Sequence, residues 1–258
     1  MTGFSAHPGV LPALGRGEVH VWWAALDLDT QRVAHLADSL SPDERARAER
    51  FHFDRDRVRF IAARGVLRAL LGGYLGVSPP ALAFEYGPHG KPALAASSTG
   101  APAAALAAEV RFNVSHSTGV ALYALARGRD VGVDVEGLRG DFATDEIADR
   151  FFSPAERMAL RALPAEARCA AFFACWTRKE AYIKARGVGL SLALDAFDVS
   201  LAPGEPAALL ATRDDPAARD HWSLRALDPG PGLAGAVVAE GRDWALRCWS
   251  WDEESGTN

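Results

Sequence analysis

Two carboxylates stand two residues apart in the run Val131-Gly132-Val133-Asp134-Val135-Glu136. The run alternates strictly, so as a strand it turns its valines to one face and Asp134 and Glu136 to the other, about 6–7 Å apart along the chain. Carboxylates this close repel unless a cation or a basic side chain lies between them. Such hard oxygen donors suit Mg2+ or Mn2+, together with phosphate and water oxygens. An amphipathic edge strand with its charges in water gives the same pattern, and Asp-x-Glu alone does not separate the two.

A second set lies on a helix. In the segment from Phe172 to Gly187, Trp176, Glu180 and Lys184 follow one another at i, i+4, and Cys169, Phe172, Phe173 and Trp176 form an apolar stripe at helical spacing. An exposed Glu-to-Lys pair at that spacing contributes only a few tenths of a kcal/mol. At the margin of a packed stripe the same pair has a chemical use. A carboxylate held between Lys179 and Lys184 accepts a proton from a hydroxyl, and a lysine one turn away meets charge developing on a leaving phosphate. His116, in Asn113-Val114-Ser115-His116-Ser117, sits among small hydroxyl residues where a strand meets a turn, a place suited to a phosphate. Gly90-Lys91-Pro92 reads only as a turn.

The elements that must position these groups are legible as well. Ser41-Pro42-Asp43-Glu44 recurs 112 residues later as Ser153-Pro154-Ala155-Glu156. Each copy is a helix start, with Ser as cap, Pro in the first turn and Glu three residues on. A longer helix follows each, over Asp56 to Leu71 and over Ala165 to Arg186, with Gly187 as a stop. Strands are expected at Val19 to Leu26, Val120 to Ala126 and Val131 to Glu136. Trp222 to Leu227, Leu233 to Ala239 and Trp244 to Ser250 read as a meander. The Ala/Ser/Pro-rich stretch from Ala95 to Ala108 reads as an inserted loop, and the tail after Asp252 as frayed. The expected fold is α+β: two similar halves, residues 1–128 and 129–258, related by pseudo-two-fold symmetry with the active site at their interface.

Bulk properties narrow the classes. A net charge of −5 argues against a general nucleic-acid binder, although eight arginines crowd Arg45 to Arg68. Those arginines form either a solvated helix face laced with acids or a local anion site. No apolar run reaches the ~20 residues of a membrane span, and the N-terminus lacks the features of a signal peptide. Cys169, Cys175 and Cys248 have no disulfide or metal spacing, so a reducing, cytoplasmic setting is expected.

No single motif decides among these readings, but their order along the chain does. Gly90-Lys91-Pro92, Asn113-Val-Ser115-His116-Ser117, Gly132-Val-Asp134-Val-Glu136, Phe151-Phe152-Ser153-Pro-Ala-Glu156 and Trp176-Thr-Arg-Lys179-Glu180-Ala-Tyr-Ile-Lys184 succeed one another. This order resembles the 4′-phosphopantetheinyl transferase superfamily, in its two-halved, Sfp-type group, from about Ser41 to Leu192. The resemblance implies an enzyme of the holo-[acyl-carrier-protein] synthase type. It would move phosphopantetheine from coenzyme A to a serine of an apo acyl or peptidyl carrier protein and release adenosine 3′,5′-bisphosphate. By that likeness Asp134, Glu136 and Glu156 would hold Mg2+ or Mn2+, Glu180 would take the serine proton, and Lys184 would serve the leaving phosphate. His116 and Lys179 would bind phosphate oxygens, with Ser115 beside them. Lys91 and Pro92 would lie at the adenine, and Arg47, Arg59 or Arg64 would hold the 3′-phosphate. Glu44 stands where relatives often place a lysine, and by this reading it only caps its helix. A monomer without membrane or nucleic-acid partners is expected. Two other readings remain open: a coenzyme A or carrier-protein binding module without chemistry, which would not need Glu180 beside Lys184, and a coenzyme-A-dependent acyltransferase, which would leave the carboxylates unexplained.

Overall fold

The chain repeats one succession of elements. In the computed structural model, which describes residues 2–95, 101–140 and 144–251, the first half runs β1 (Glu18–Ala25), α1 (Thr30–Asp38), α2 (Pro42–Ala48), α3 (Asp54–Leu75), β2 (Phe84–Tyr86), β3 (Pro92–Leu94), α4 (Ala101–Glu109), β4 (Val110–Ser117) and β5 (Val120–Arg127). The second runs β6 (Val131–Gly137), α5 (Thr144–Phe151), α6 (Pro154–Ala162), α7 (Ala165–Arg186), β7 (Phe197–Val199), β8 (Leu209–Thr212), α8 (Ala218–His221), β9 (Trp222–Leu227) and β10 (Leu233–Glu240). Each half is a strand, three helices, two short strands, a helix and two longer strands. Strand order repeats too: β1-β5-β4 in one sheet and β6-β10-β9 in the other. The long helices α3 and α7 are each 22 residues, and α2 and α6 both open on a Ser-Pro capping box.

Three apolar clusters explain the layering. α1 and α3 cover one face of the first sheet through Leu36, Val66, Leu70, Trp22 and Tyr123. α7 covers one face of the second through Phe172, Tyr182, Ile183, Ala236 and Val238. Between the sheets lie Val19, Val21, Leu122, Ala124, Val131, Val133, Val135 and Val237. The valines of β6 therefore point into the inter-sheet core, as alternation requires, and the other face of β6 is left for α7.

Two sequence expectations are corrected. The stretch Ala95 to Ala108 is not simply a loop, because Ala101–Glu109 forms α4. Alanine has the best helix propensity, and Pro102 falls in the first turn, where a missing N–H costs nothing. Residues 96–100 and the tail 252–258 lie outside the described residues. The expected three-strand meander ends after β10: β11 (Ala245–Ser250) crosses to the first sheet and pairs parallel to β1, from Glu18↔Ala245 to Trp23↔Ser250. Both edges of β10 are already taken, by β6 and β9, whereas the outer edge of β1 is open.

Candidate active site

Gly132, Asp134 and Glu136 share the face of β6 that looks at α7. Gly132 makes this contact possible, since a Cβ there would lie 2.2 Å from the Ala181 carbonyl oxygen and 2.3 Å from the Ala185 nitrogen. Helix and strand therefore touch backbone to backbone, which brings the α7 turn carrying Glu180 and Lys184 down beside the two carboxylates. Lys184 Nζ sits 2.6 Å from Asp134 Oδ1. α7 spans the predicted Ala165–Arg186, with Gly187 as its left-handed C-terminal cap at φ 66°.

The two sheets meet at the edges of β4 and β6, and side chains close the seam. Asn113, Ser115 and Ser117 alternate on one face of β4. Asn113 Oδ1 accepts the Val133 N–H at 2.9 Å, Ser115 Oγ donates to Asp134 Oδ1 at 2.7 Å, and Ser117 Oγ donates to Glu136 Oε2 at 2.9 Å. Lys184 also donates to Ser115 Oγ at 3.0 Å, closing a triangle with Asp134. The Ser115 hydroxyl is thus engaged as donor and acceptor, so this residue holds the carboxylate and the lysine rather than meeting a phosphate directly. Sequence reasoning missed Asn113 and Ser117. Their signal was the i, i+2, i+4 spacing of small polar residues ahead of a strand with matching acids.

Asp134 is 2% exposed, and its Oδ2 is buried with no hydrogen-bond partner among the described residues. Burial pushes the Glu136 carboxyl above its ordinary range, and the neighbouring Asp134 charge adds to the shift. Burial also raises Glu180, partly opposed by Lys184 and reinforced by Asp134 and Glu136. Glu180 makes no side-chain hydrogen bond among the described residues. It lines a cavity of about 280 Å3 with Lys184, Asn113, Lys91, Pro92 and His89. An orphaned carboxylate oxygen and two carboxyls that resist ionising beside it fit a hard divalent cation. Among the described residues no three His, Cys, Asp or Glu side chains form a ready-made cage. Substrate oxygens and water must therefore complete the coordination, as is usual for Mg2+.

Glu156 does not belong to this set, which corrects the sequence expectation. It is 3% exposed; its Oε2 accepts the Ser153 N–H at 2.9 Å and pairs with Lys179 Nζ at 2.8 Å, and its Oε1 accepts the Val199 N–H at 2.8 Å. Lys179 is corrected with it. Fully buried, it also donates to the carbonyls of Leu194 at 2.6 Å and Phe197 at 2.7 Å, so its ammonium has no donor left for a phosphate. The first half repeats the device: Glu44, 3% exposed, caps α2 and binds the buried Arg68 at 2.7 Å. Glu44 does more than cap, and the pair at Glu156 is its architectural counterpart.

The remaining groups lie around the cavity. The Lys91 ammonium does not point to a ligand; it donates to the carbonyls of Lys184 (2.7 Å), Val131 (3.1 Å) and Ala185 (3.2 Å), tying the Gly-Lys-Pro turn to the end of α7. Pro92 lines the cavity as expected. His116, on the opposite face of β4 from Ser115, keeps an accessible ring. Desolvation by the surrounding protein lowers its pKa, as do the charges of Lys184 and Arg59, so it is neutral at neutral pH. Of the arginines, Arg59 is held by Asp27 through two bonds of 2.7 and 2.8 Å. Arg64 lies against Glu44 and the Tyr86 hydroxyl. Arg47 stacks over Phe60, exposed. None of the three lines that cavity. Of the cysteines, Cys175 and Cys248 are buried and Cys169 is half-buried, all three free. No helix among the described residues is long and apolar enough to cross a membrane.

Comparison with known proteins accounts for the arrangement. The profile of the 4′-phosphopantetheinyl transferase superfamily matches residues 130–246, and that of the N-terminal region of 4′-phosphopantetheinyl transferases matches residues 25–126. The chain is 42% identical to the 4′-phosphopantetheinyl transferase HetI of Nostoc sp., over 91% of this chain and 92% of that protein. It is 31% identical to the 4′-phosphopantetheinyl transferase psf-1 of Bacillus pumilus, over 79% and 81%. It is 30% identical to the 4′-phosphopantetheinyl transferase Sfp of Bacillus subtilis, over 63% and 66%. The chain belongs to the 4′-phosphopantetheinyl transferase superfamily, in its Sfp-type group.

Proposed function

We propose that this protein transfers the 4′-phosphopantetheine group of coenzyme A to a serine hydroxyl of an apo acyl or peptidyl carrier protein, releasing adenosine 3′,5′-bisphosphate. One observation carries the reading beyond family membership. Glu180 feels the charges of Asp134 and Glu136, Lys184 pairs with Asp134, and Glu180 and Lys184 together line a cavity that reaches the Gly-Lys-Pro turn. In this assignment Asp134 and Glu136 would hold the ion, Mg2+ or Mn2+, without Glu156, and Glu180 stands beside them as the base. When bound, the cation neutralises the pyrophosphate and reduces its repulsion of an incoming nucleophile. Glu180, whose raised proton affinity suits the task, accepts the serine proton directly or through a water. The serine oxygen bonds to the phosphorus that carries the pantetheine, and the bond from that phosphorus to the bridging oxygen breaks. Lys184, held ready by Ser115 and Asp134, meets the charge on the departing phosphate. His116, neutral, offers an N–H to a phosphate oxygen, and the arginines of α2 and α3 supply positive charge at the 3′-phosphate. Positioning and charge neutralisation account for most catalysis of this kind.

On this reading the product is a holo carrier protein, and the halves 1–128 and 129–258 act together as one monomer in the cytoplasm. The test is incubation with coenzyme A, Mg2+ and an apo carrier protein, read by intact mass of the carrier. The expected result is a gain of one phosphopantetheine that disappears with EDTA. Coenzyme A binding with several apo carriers left unmodified would replace the transferase by a binding module. A mass gain that survives chelation would remove the metal from the assignment.

A further inference from the structure

The two serines of the β4–β6 seam share a wiring pattern that a merely packed hydroxyl does not need. Ser117 Oγ accepts the Gly137 backbone N–H at 3.3 Å, so its proton is left to point at Glu136 Oε2. Ser115 Oγ accepts from Lys184 and gives its proton to Asp134 Oδ1. At Ser117 a backbone N–H sets the direction of the hydroxyl, at Ser115 the Lys184 ammonium occupies the acceptor side, and each hydroxyl engages one named oxygen of one carboxylate. The other oxygen of each carboxylate is left over, and for Asp134 it is the buried, unpartnered Oδ2.

We propose that Ser117, with Ser115 beside it, is a positioning residue of the transfer reaction, selecting which oxygens of Glu136 and Asp134 face a divalent cation. Neither serine touches the reacting atoms. The proposal rests on the transferase reading for its purpose, but its geometry is independent of that reading. A carboxylate pinned at one oxygen loses the freedom to rotate, so its free oxygen is presented in one direction. Ser115 has a second task, because it also sets the ammonium of Lys184 beside the same carboxylate. The two serines therefore differ in expected effect: Ser117 acts on the cation alone, and Ser115 on the cation and on Lys184.

The experiment measures Mn2+ binding to the full chain without coenzyme A, by loss of the free-ion electron paramagnetic signal, for wild type, Ser117→Ala, Ser117→Thr and Ser115→Ala. Removing an outer-shell partner commonly weakens a metal site by about 10-fold or more. Ser117→Ala is expected to bind Mn2+ about 10-fold more weakly. In the carrier assay its half-saturating Mg2+ should rise while turnover at saturating Mg2+ stays near wild type. Ser117→Thr, which keeps the hydroxyl on a β-branched strand residue, should recover most of the affinity, and Ser115→Ala should lose affinity and turnover together. Unchanged Mn2+ binding in Ser117→Ala overturns the proposal. So does Ser117→Thr binding as weakly as Ser117→Ala while melting like wild type. If Mn2+ binding depends on Ser117 but no carrier is ever modified, the positioning role stands and the transferase reading falls.

Discussion

Replacing Gly132 by alanine drives a methyl group into the backbone of α7. The added Cβ would lie 2.2 Å from the Ala181 oxygen, 2.3 Å from the Ala185 nitrogen and 2.9 Å from the Ala185 Cα, where ordinary contact begins near 3.4 Å. These are backbone atoms, so no side chain can swing aside, and helix or strand must retreat by roughly 1 Å. Overpacking of this kind costs about 1–3 kcal/mol, which for a protein of this size lowers the melting temperature by roughly 3–10 °C. The larger effect is on chemistry. Ala181 and Ala185 flank Glu180 and Lys184, so the retreat takes both away from Asp134 and Glu136. A misplacement near 1 Å costs on the order of 100-fold in rate. Differential scanning calorimetry and initial rates of carrier modification measure the two effects separately. Gly140→Ala, whose Cβ meets nothing within 4 Å, is the control and should match wild type. If Gly132→Ala melts and turns over like wild type, the backbone contact does not set the geometry of the site.

Three further outcomes follow from the same geometry. Glu156→Gln should lower stability by about 3 kcal/mol, because it leaves Lys179 buried without its counter-charge, and should leave the half-saturating Mg2+ concentration unchanged. Unchanged melting with altered Mg2+ dependence would restore Glu156 to the metal set. Glu180 and Glu136 have folded pKa values raised above the ordinary 4.5, so their contribution to stability is present below that value and lost as pH rises through the raised one. Without divalent ions, wild type should therefore lose stability relative to Glu180→Gln as pH rises above 4.5, and a melting difference independent of pH would contradict this. Finally, Glu180→Gln should abolish most turnover while retaining coenzyme A binding, whereas Asp134→Ala should weaken Mg2+-dependent binding too. Isothermal titration separates the cases, and equal loss of binding in both would erase the division of roles.

The elements were readable where one local rule acted alone. Alternation placed Asp134 and Glu136 on a single face of β6, and the stop at Gly187 gave the end of α7. Misreadings arose where two rules met at one residue. Glu156 is a capping glutamate in a motif-rich stretch, and the family likeness outweighed the capping rule; the buried Lys179 against it, 15 residues before the Leu194 carbonyl it reaches, is a tertiary fact with no local trace. The partners of Ser115 and Ser117 lie 19 residues away across a seam between sheets, so only the matched spacing of the two strands hinted at them. β11 carried an ordinary strand pattern, and nothing in that pattern says which sheet has an open edge.

The repeated ion pairs explain why only one half carries the carboxylates. Glu44–Arg68 and Glu156–Lys179 each pin a short capped helix to the long helix after it, so both copies keep the scaffold. Carrying the 112-residue offset of Ser41 and Ser153 back along the chain places Trp22 and Ala24 opposite Asp134 and Glu136. Both are fully buried in β1, where they meet α3 as apolar residues. Along the long helices the offset is 111, as Arg68 and Lys179 show, and it sets Ala69 and Gly73 against Glu180 and Lys184, so the α3 counterpart of the reactive turn carries no titratable side chain. The first half contributes instead from its edge strand: Asn113, Ser115 and Ser117 reach across to β6, and His116 stands on the other face. A seam between unlike surfaces thus forms one site rather than two. Loss of the β4 serines should then impair the second half's carboxylates, although no residue of that half has changed.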